Sequence, residues 1–287
     1  MKIRISADST ADLSQELLEK YNIPTMPLHV SLGEKDCLDG VTIVPQDIYD
    51  YYAQTKKLPK SGARSAEEYS EFFKGILAEG YDAIVHFTIS ADMSASYANA
   101  EIASRDFDNV FVVDSRQLST GIGLLVLDAC DMVEAGLSAK EIAERAVSRT
   151  EATKSSFIVD TLEFLYKGGR CSSLAYLGAN LLQIKPCLEV KNGLIGVESK
   201  PMGRYRRCVA KYCEFIKNKI TNPDSKRCFV THTKMDEGIA EEVIATVKSW
   251  CIFDEVLETT AGCTVTTHCG ANTIGILYIN DGGVEGV

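Results

Sequence analysis

Ala83-Ile84-Val85-His86-Phe87-Thr88-Ile89-Ser90-Ala91-Asp92-Met93-Ser94-Ala95-Ser96-Tyr97-Ala98-Asn99-Ala100 begins as an apolar, β-prone run too short for a typical helix. It then passes through a small polar turn and resumes with an Ala-rich composition that continues through Ile102 and Ala103. That order is strand, loop, helix. The first N–H groups of a helix lack intrahelical partners and its dipole is positive there, so the junction is expected to favour an anion, with Ser94 and Ser96 adding hydroxyls. The plainer role for Ser94 is to cap the helix.

Upstream, Ile3 and Ile5 alternate with polar neighbours as a first strand, and Ser6-Ala7-Asp8-Ser9-Thr10-Ala11-Asp12 precedes a helix carrying Leu13, Leu17, Leu18 and Tyr21. A polar turn after a parallel strand lies where open α/β sheets place ligands, and Asp12 with Gln15 reads as a capping pair. Residues 25–32 read as a strand, Pro45 opens a helix with Ile48, Tyr49, Tyr51 and Tyr52, and Ser65-Ala66-Glu67-Glu68 is a capping box. Ser65 therefore has a structural task. Ser61, in the preceding loop, has none and is the more informative hydroxyl. Downstream, residues 110–113 form a strand, followed by helices over 120–135 and from the capping box Ser138-Ala139-Lys140-Glu141. Strands alternating with helices at this spacing imply a mostly parallel sheet covered on both faces, a three-layer α/β domain over residues 1–153.

Two helices in succession break the alternation and put a domain junction near residues 150–156. Beyond it, 156–159 read as a strand, 162–166 as a short helix, and Lys167-Gly168-Gly169-Arg170 as a turn with freedom for positive φ. Residues 174–182 are expected to be helical, and Asn192-Gly193 marks a hairpin between strands. A helix over 206–220, a strand over 228–231, a helix over 239–250 and strands over 252–257 and 274–279 complete the pattern. The expectation for 154–287 is a two-layer α/β domain with a mixed sheet.

Thirty basic against forty acidic residues leave a net charge of −10, and the one basic cluster is Arg204-Tyr205-Arg206-Arg207 with Lys211. Non-specific binding to nucleic acid or an anionic membrane needs a concentrated positive field and is disfavoured. Ten cysteines sit mostly in apolar stretches and no two are separated by two or three residues, so zinc-ribbon and thioredoxin-like motifs are absent. They read as small buried hydrophobes in a reducing compartment. The start, Met1-Lys2-Ile3-Arg4-Ile5-Ser6, lacks the apolar core of a signal peptide, and Asp128 and Asp131 interrupt the most apolar helix. No transmembrane segment and a cytoplasmic location are expected.

Walker A, dinucleotide-glycine, Gly-x-Ser-x-Gly and His-Glu-x-x-His motifs are missing. His29 and His86 lie in strand-like segments, and His232 ends a strand. His268 differs, because Thr266-Thr267-His268-Cys269-Gly270-Ala271-Asn272-Thr273 reads as a loop that could aim it into a cleft. Ser94 and His268 supply two ingredients of a Ser-dependent acyl hydrolase, though a nucleophile also needs an oriented base and oxyanion donors. Turnover of an acyl ester separates that alternative from a binding protein. A third reading is a regulatory module with a structural lipid that does not exchange.

Asp8-Ser9-Thr10-Ala11-Asp12, Val113-Asp114-Ser115, Leu162 through Lys167-Gly168-Gly169-Arg170, Ile184-Lys185-Pro186 and His268-x-Gly270 through Gly275 occur in an order that resembles the DegV family over nearly the whole chain. The resemblance implies two α/β domains and one fatty acid in an apolar tunnel, its carboxylate near the domain interface. It implies binding without catalysis and no cofactor; the ligand would be a long-chain acid such as palmitate, stearate or oleate. It further implies a partner, a fatty acid kinase related to dihydroxyacetone kinases, that phosphorylates the carboxylate. The family's first carboxylate-binding segment, usually Thr-Ser-Gln-Pro-Ser, is matched by Ser61-Gly62-Ala63-Arg64-Ser65. The second, usually Leu-Ser-Gly-Thr-Tyr, is matched by Met93-Ser94-Ala95-Ser96-Tyr97. Ser61, Gly62, Ser94, Ala95 and His268 are thus the implied ligand-binding positions, with Ala95 replacing a Gly and Ala271 a Pro. Arg64, Arg170 and Arg204, the last in Met202-Gly203-Arg204 where the family has Arg-Gly-Arg, are candidates for ligand or interface contacts.

Overall fold

The computed structural model describes residues 1–171 and 184–283. The expected helix over 174–182 lies outside the described residues. The chain begins with β1 (Ile3–Asp8), a 3-10 turn (Ser9–Ala11), α1 (Gln15–Lys20), β2 (Thr25–Met26), β3 (His29–Leu32) and β4 (Lys35–Leu38). The strand expected over 25–32 is two strands, because Pro27 has no N–H to give a ladder and Leu28 N donates to Ser9 Oγ at 3.2 Å. Next come α2 (Pro45–Thr55), β5 (Lys60–Gly62) and α3 (Ala66–Ala78), whose Ser65/Glu68 capping box forms as read. They are followed by β6 (Ala83–Thr88), α4 (Ser96–Ser104), β7 (Val110–Asp114), α5 (Thr120–Glu134) and α6 (Ala139–Arg149). Strands β2-β1-β6-β7 form an all-parallel sheet, while β4-β3-β5 form a small antiparallel one.

Side-chain alternation along β6 explains the layering. Ile84 packs with Tyr69 and Phe73 of α3 and Ala100 of α4, whereas Val85 and Phe87 face Ile122, Val126 of α5 and Ile142 of α6. Helices thus cover both faces.

The chain continues through β8 (Thr153–Val159), α7 (Glu163–Gly168), β9 (Cys187–Lys191), β10 (Leu194–Ser199) and α8 (Tyr205–Lys219). It ends with β11 (Arg227–His232), α9 (Ile239–Ser249), β12 (Glu255–Thr260), α10 (Cys263–Cys269) and β13 (Thr273–Ile279). Asn192 and Gly193, both at positive φ, turn the β9–β10 hairpin as the dipeptide predicts. The six-stranded sheet has the order β10-β9-β8-β13-β11-β12 and is mixed, since only β11 and β12 are parallel. β12 starts three residues later than expected because Cys251, at φ 53°, still belongs to a turn.

One face of this sheet is covered by α8 and α9 through Tyr212, Cys213, Val243 and Val247. The other face meets α5, whose core also takes in Phe229, Leu277 and Ile279. Helix α5 is therefore packed between the two large sheets. The buried Arg149 guanidinium pins the same seam by donating to Asp128 at 2.5 Å, Asp224 at 2.7 Å and Asp281 at 2.8 Å. Nine of the ten cysteines are buried, as their apolar settings predict; Cys251 is exposed.

Candidate functional site

An open cavity lies beyond the carboxyl ends of β6 and β7. Ile89, Met93 and Leu118 come from those strand ends, Ser61, Gly62 and Ala63 from β5 and its exit, and Leu165, Arg170 and Ile195 from the second half. Helix α10 adds Thr264, Val265, His268 and Cys269. A second cavity shares Leu118, Val265 and Cys269 with the first, so the two are neighbours across that apolar wall. The hydroxyls of Ser119, Thr231, Thr233 and Thr273 in the second cavity are tied to protein partners, and Ser156 and His232 line it beside the apolar Phe157, Ala261, Val265 and Leu277.

Ser61 and His268, 207 positions apart, are brought together: Ser61 Oγ and His268 Nε2 are 2.7 Å apart. His268 stands on α10 and not on the loop expected for 266–273. Asp39 makes that helix: its carboxylate accepts from Cys263 N at 2.7 Å, Thr264 N at 3.0 Å and Ser9 Oγ at 3.1 Å. Asp12 accepts from Gly262 N at 2.8 Å and Ser119 Oγ at 2.6 Å instead of capping α1, whose cap is Ser14. Burial pushes the Asp12 carboxyl up to about 8. Burial, with the Arg170 guanidinium second, lowers His268 to about 4, so its imidazole is neutral near pH 7. His268 Nδ1 has no partner among the described residues, and a Cβ at Gly168 would lie 2.6 Å from it. A side chain at Gly168 would drive the ring out of place.

Ser94 lines the cavity but does not meet His268: its Oγ is 3.0 Å from Ser96 Oγ and accepts from Ser96 N at 3.2 Å. The helix cap is Ala95, not Ser94, and Ala95 is exposed outside the lining. The free N–H groups expected at this junction are mostly spent within it. Ile89 N donates to Asp8, Ser90 N to Gln117 O, Ala91 N to Asp114, Asp92 N to Ser90 Oγ, and Met93 N and Ser94 N to Ser90 O. The N–H groups of 89–94 are therefore not free to serve an anion in the cavity.

Of the arginines, Arg170 lines the mouth, exposed, and donates to Gly168 O at 2.7 Å. Arg64 is neither in the lining nor turned to solvent; it pairs with Glu68 at 3.0 Å and donates to His29 Nε2 at 3.2 Å. Arg204 is exposed at the start of α8, away from the lining. His86 is buried between Ser6 Oγ at 2.9 Å and Asp8 at 3.3 Å, and His232 is held by Glu258 and Thr233 O. Sequence reasoning missed Thr264 and Asp39. Thr264 would have been found from its four-residue spacing to His268 had the helix been recognised; Asp39 carried no local signal.

The sequence model described as an uncharacterised protein of the DegV family matches residues 2–281. A fatty acid-binding protein of Thermotoga maritima is 29% identical over 281 residues, with 96% of each chain covered. A DegV family protein from Thermus thermophilus, solved for its fatty acid binding, superposes with a TM-score of 0.88 at 26% identity, covering 98% of this chain and 100% of the other. A stearic acid-binding protein from Eubacterium ventriosum gives 0.83 at 28% identity over 97% and 98% of the two chains.

Proposed function

Because this chain belongs to the DegV family, we propose that it binds one long-chain fatty acid, such as palmitate, stearate or oleate, without catalysing a reaction on it. The observation that carries the reading is the polarity of the two neighbouring cavities: Ser61, Ser94, His268 and Arg170 gather in the first, and an apolar wall leads to the second. Each buried methylene contributes about 0.8 kcal/mol, so roughly fifteen supply about 12 kcal/mol gross, offset by ordering the tail. The head group then fixes orientation. A buried carboxylate needs donors: neutral His268 donating from Nε2 to Ser61 Oγ leaves the Ser61 hydroxyl hydrogen for it, with Gly62 beside Ser61 on β5 and Ser94 also in the lining.

The division into 1–153 and 154–287 belongs to the same proposal, with α5 as the seam and the ligand crossing it. So does presentation of the carboxylate at the Arg170 mouth to a fatty acid kinase of the dihydroxyacetone-kinase-related type in the cytoplasm. Among the described residues no helix is long and apolar enough to cross a membrane. The hydrolase alternative needs Ser94 against His268, a pair the hydrogen bonds do not favour.

Mass spectrometry of the native protein, then of anything released on denaturation, tests the reading. One fatty acid per chain is expected. An empty protein that also refuses added palmitate and oleate overturns it.

A further inference from the structure

Thr264 is 5% exposed, lines the first cavity, and its Oγ1 has no hydrogen-bond partner among the described residues. An unmade hydrogen bond on a buried hydroxyl costs on the order of 1–3 kcal/mol, so a site that keeps one has a use for it. Of the described residues with a buried polar atom left without a partner, only Thr264 and His268 are in the lining of this cavity. The two residues are four apart on α10, which stacks them on one face with Cβ atoms about 5–6 Å apart. Val265 and Cys269, the adjacent row, border both cavities, whereas Thr264 and His268 border the first alone. Thr264 therefore belongs to the head-group chamber. Its backbone N–H is already taken by Asp39, which leaves the hydroxyl as the group it has to offer.

Resting on the fatty-acid reading above, we infer that Thr264 is a head-group residue whose Oγ1–H donates to one carboxylate oxygen while Ser61, held by His268, donates to the other. An ionised carboxylate accepts at about four positions, so the hydroxyls of Thr264 on α10 and Ser61 on β5 can share it. The loop at 89–96 has spent most of its N–H groups on itself and on Asp8, Asp114 and Gln117, and Thr264 fills the donor count that this loop leaves short.

The test compares wild type with Thr264→Val, which keeps the shape and removes the hydroxyl, and Thr264→Ser, which restores it. Each is loaded with palmitate carrying carbon-13 in its carboxyl group, and affinity is measured alongside the NMR titration of the bound carboxyl. We expect Thr264→Val to bind about tenfold more weakly, the loss of one charge-assisted hydrogen bond. The bound carboxyl should then protonate at higher pH, and Thr264→Ser should return both values towards wild type. Unchanged affinity and midpoint in Thr264→Val overturn the inference. Weaker binding with an unmoved midpoint also overturns it, since that marks a packing role. Should the valine variant fail to fold, Thr264→Ala carries the same two readouts. A wild-type protein that takes up no palmitate overturns the fatty-acid reading itself, an outcome seen before any variant is made.

Discussion

Residues 89–96 and helix α10 border the same cavity with similar side chains, Ser94 on one and Thr264 with His268 on the other. The first wall closes its hydrogen bonds on itself and on Asp8, Asp114 and Gln117. The second is braced from behind by Asp39 and Asp12, and among the described residues Thr264 Oγ1 and His268 Nδ1 have no partner. A self-satisfied loop shapes a cavity. On the proposed reading, the braced helix is the wall that binds, through the Thr264 hydroxyl and through His268 behind Ser61.

The largest effect should come from removing the brace. Asp39→Ala leaves two helix N–H groups and the Ser9 hydroxyl without their acceptor, and hydrogen bonds to a charged group contribute about 1.5–3 kcal/mol each. We expect a loss of about 3 kcal/mol or more in urea unfolding and a protein that no longer retains ligand, with Asp39→Asn milder on both counts. Ligand affinity that survived Asp39→Ala would remove α10 from the binding wall.

Next is the acid limb of stability. His268 is lowered from 6.5 to about 4 in the folded protein, so the unfolded chain binds its proton first as pH falls. Its contribution is fully present above pH 6.5 and is lost as pH drops through 4. The expected size is of order 3 kcal/mol across that window. His268→Gln should flatten the slope of unfolding free energy between pH 6.5 and 4 and weaken palmitate binding about tenfold. A slope equal to wild type would mean that the ring is not buried as a neutral group.

The same contrast explains what could be read in the sequence. Strands β1, β6, β7 and β13 and helices α3 and α6 announce themselves locally, through the alternation in β1, the apolar β-prone runs of the other strands and the boxes at Ser65 and Ser138. Ser61 was legible because Ser65 had a capping task and Ser61 did not. Helix α10 was not legible: Cys263–Cys269 holds a β-branched run, Thr264 through Thr267, before Gly270, and its stability comes from carboxylates more than 220 positions away. Losing the helix hid the Thr264 and His268 stack. Asp12 misled for a related reason, since a local capping pattern was overruled by Gly262 and Ser119.

The smallest effects should fall on the self-satisfied wall. Ser94→Ala removes an acceptor of Ser96 N and a neighbour of Ser96 Oγ, a local turn worth about 1 kcal/mol of stability. Its hydroxyl already has company, so palmitate affinity should change by less than about threefold, against about tenfold for Ser61→Ala. Arg64→Ala should do still less to affinity, because Glu68 and His29 hold that guanidinium outside the lining. The pair Ser61→Ala and Ser94→Ala, measured by palmitate titration on the same preparation, is the sharpest form of the comparison. Equal losses would mean that the ligand opens the 89–96 turn on entry and recruits Ser94 from Ser96, so that both walls bind. Unequal losses in the expected order leave that loop as the mould and α10 with Ser61 as the grip.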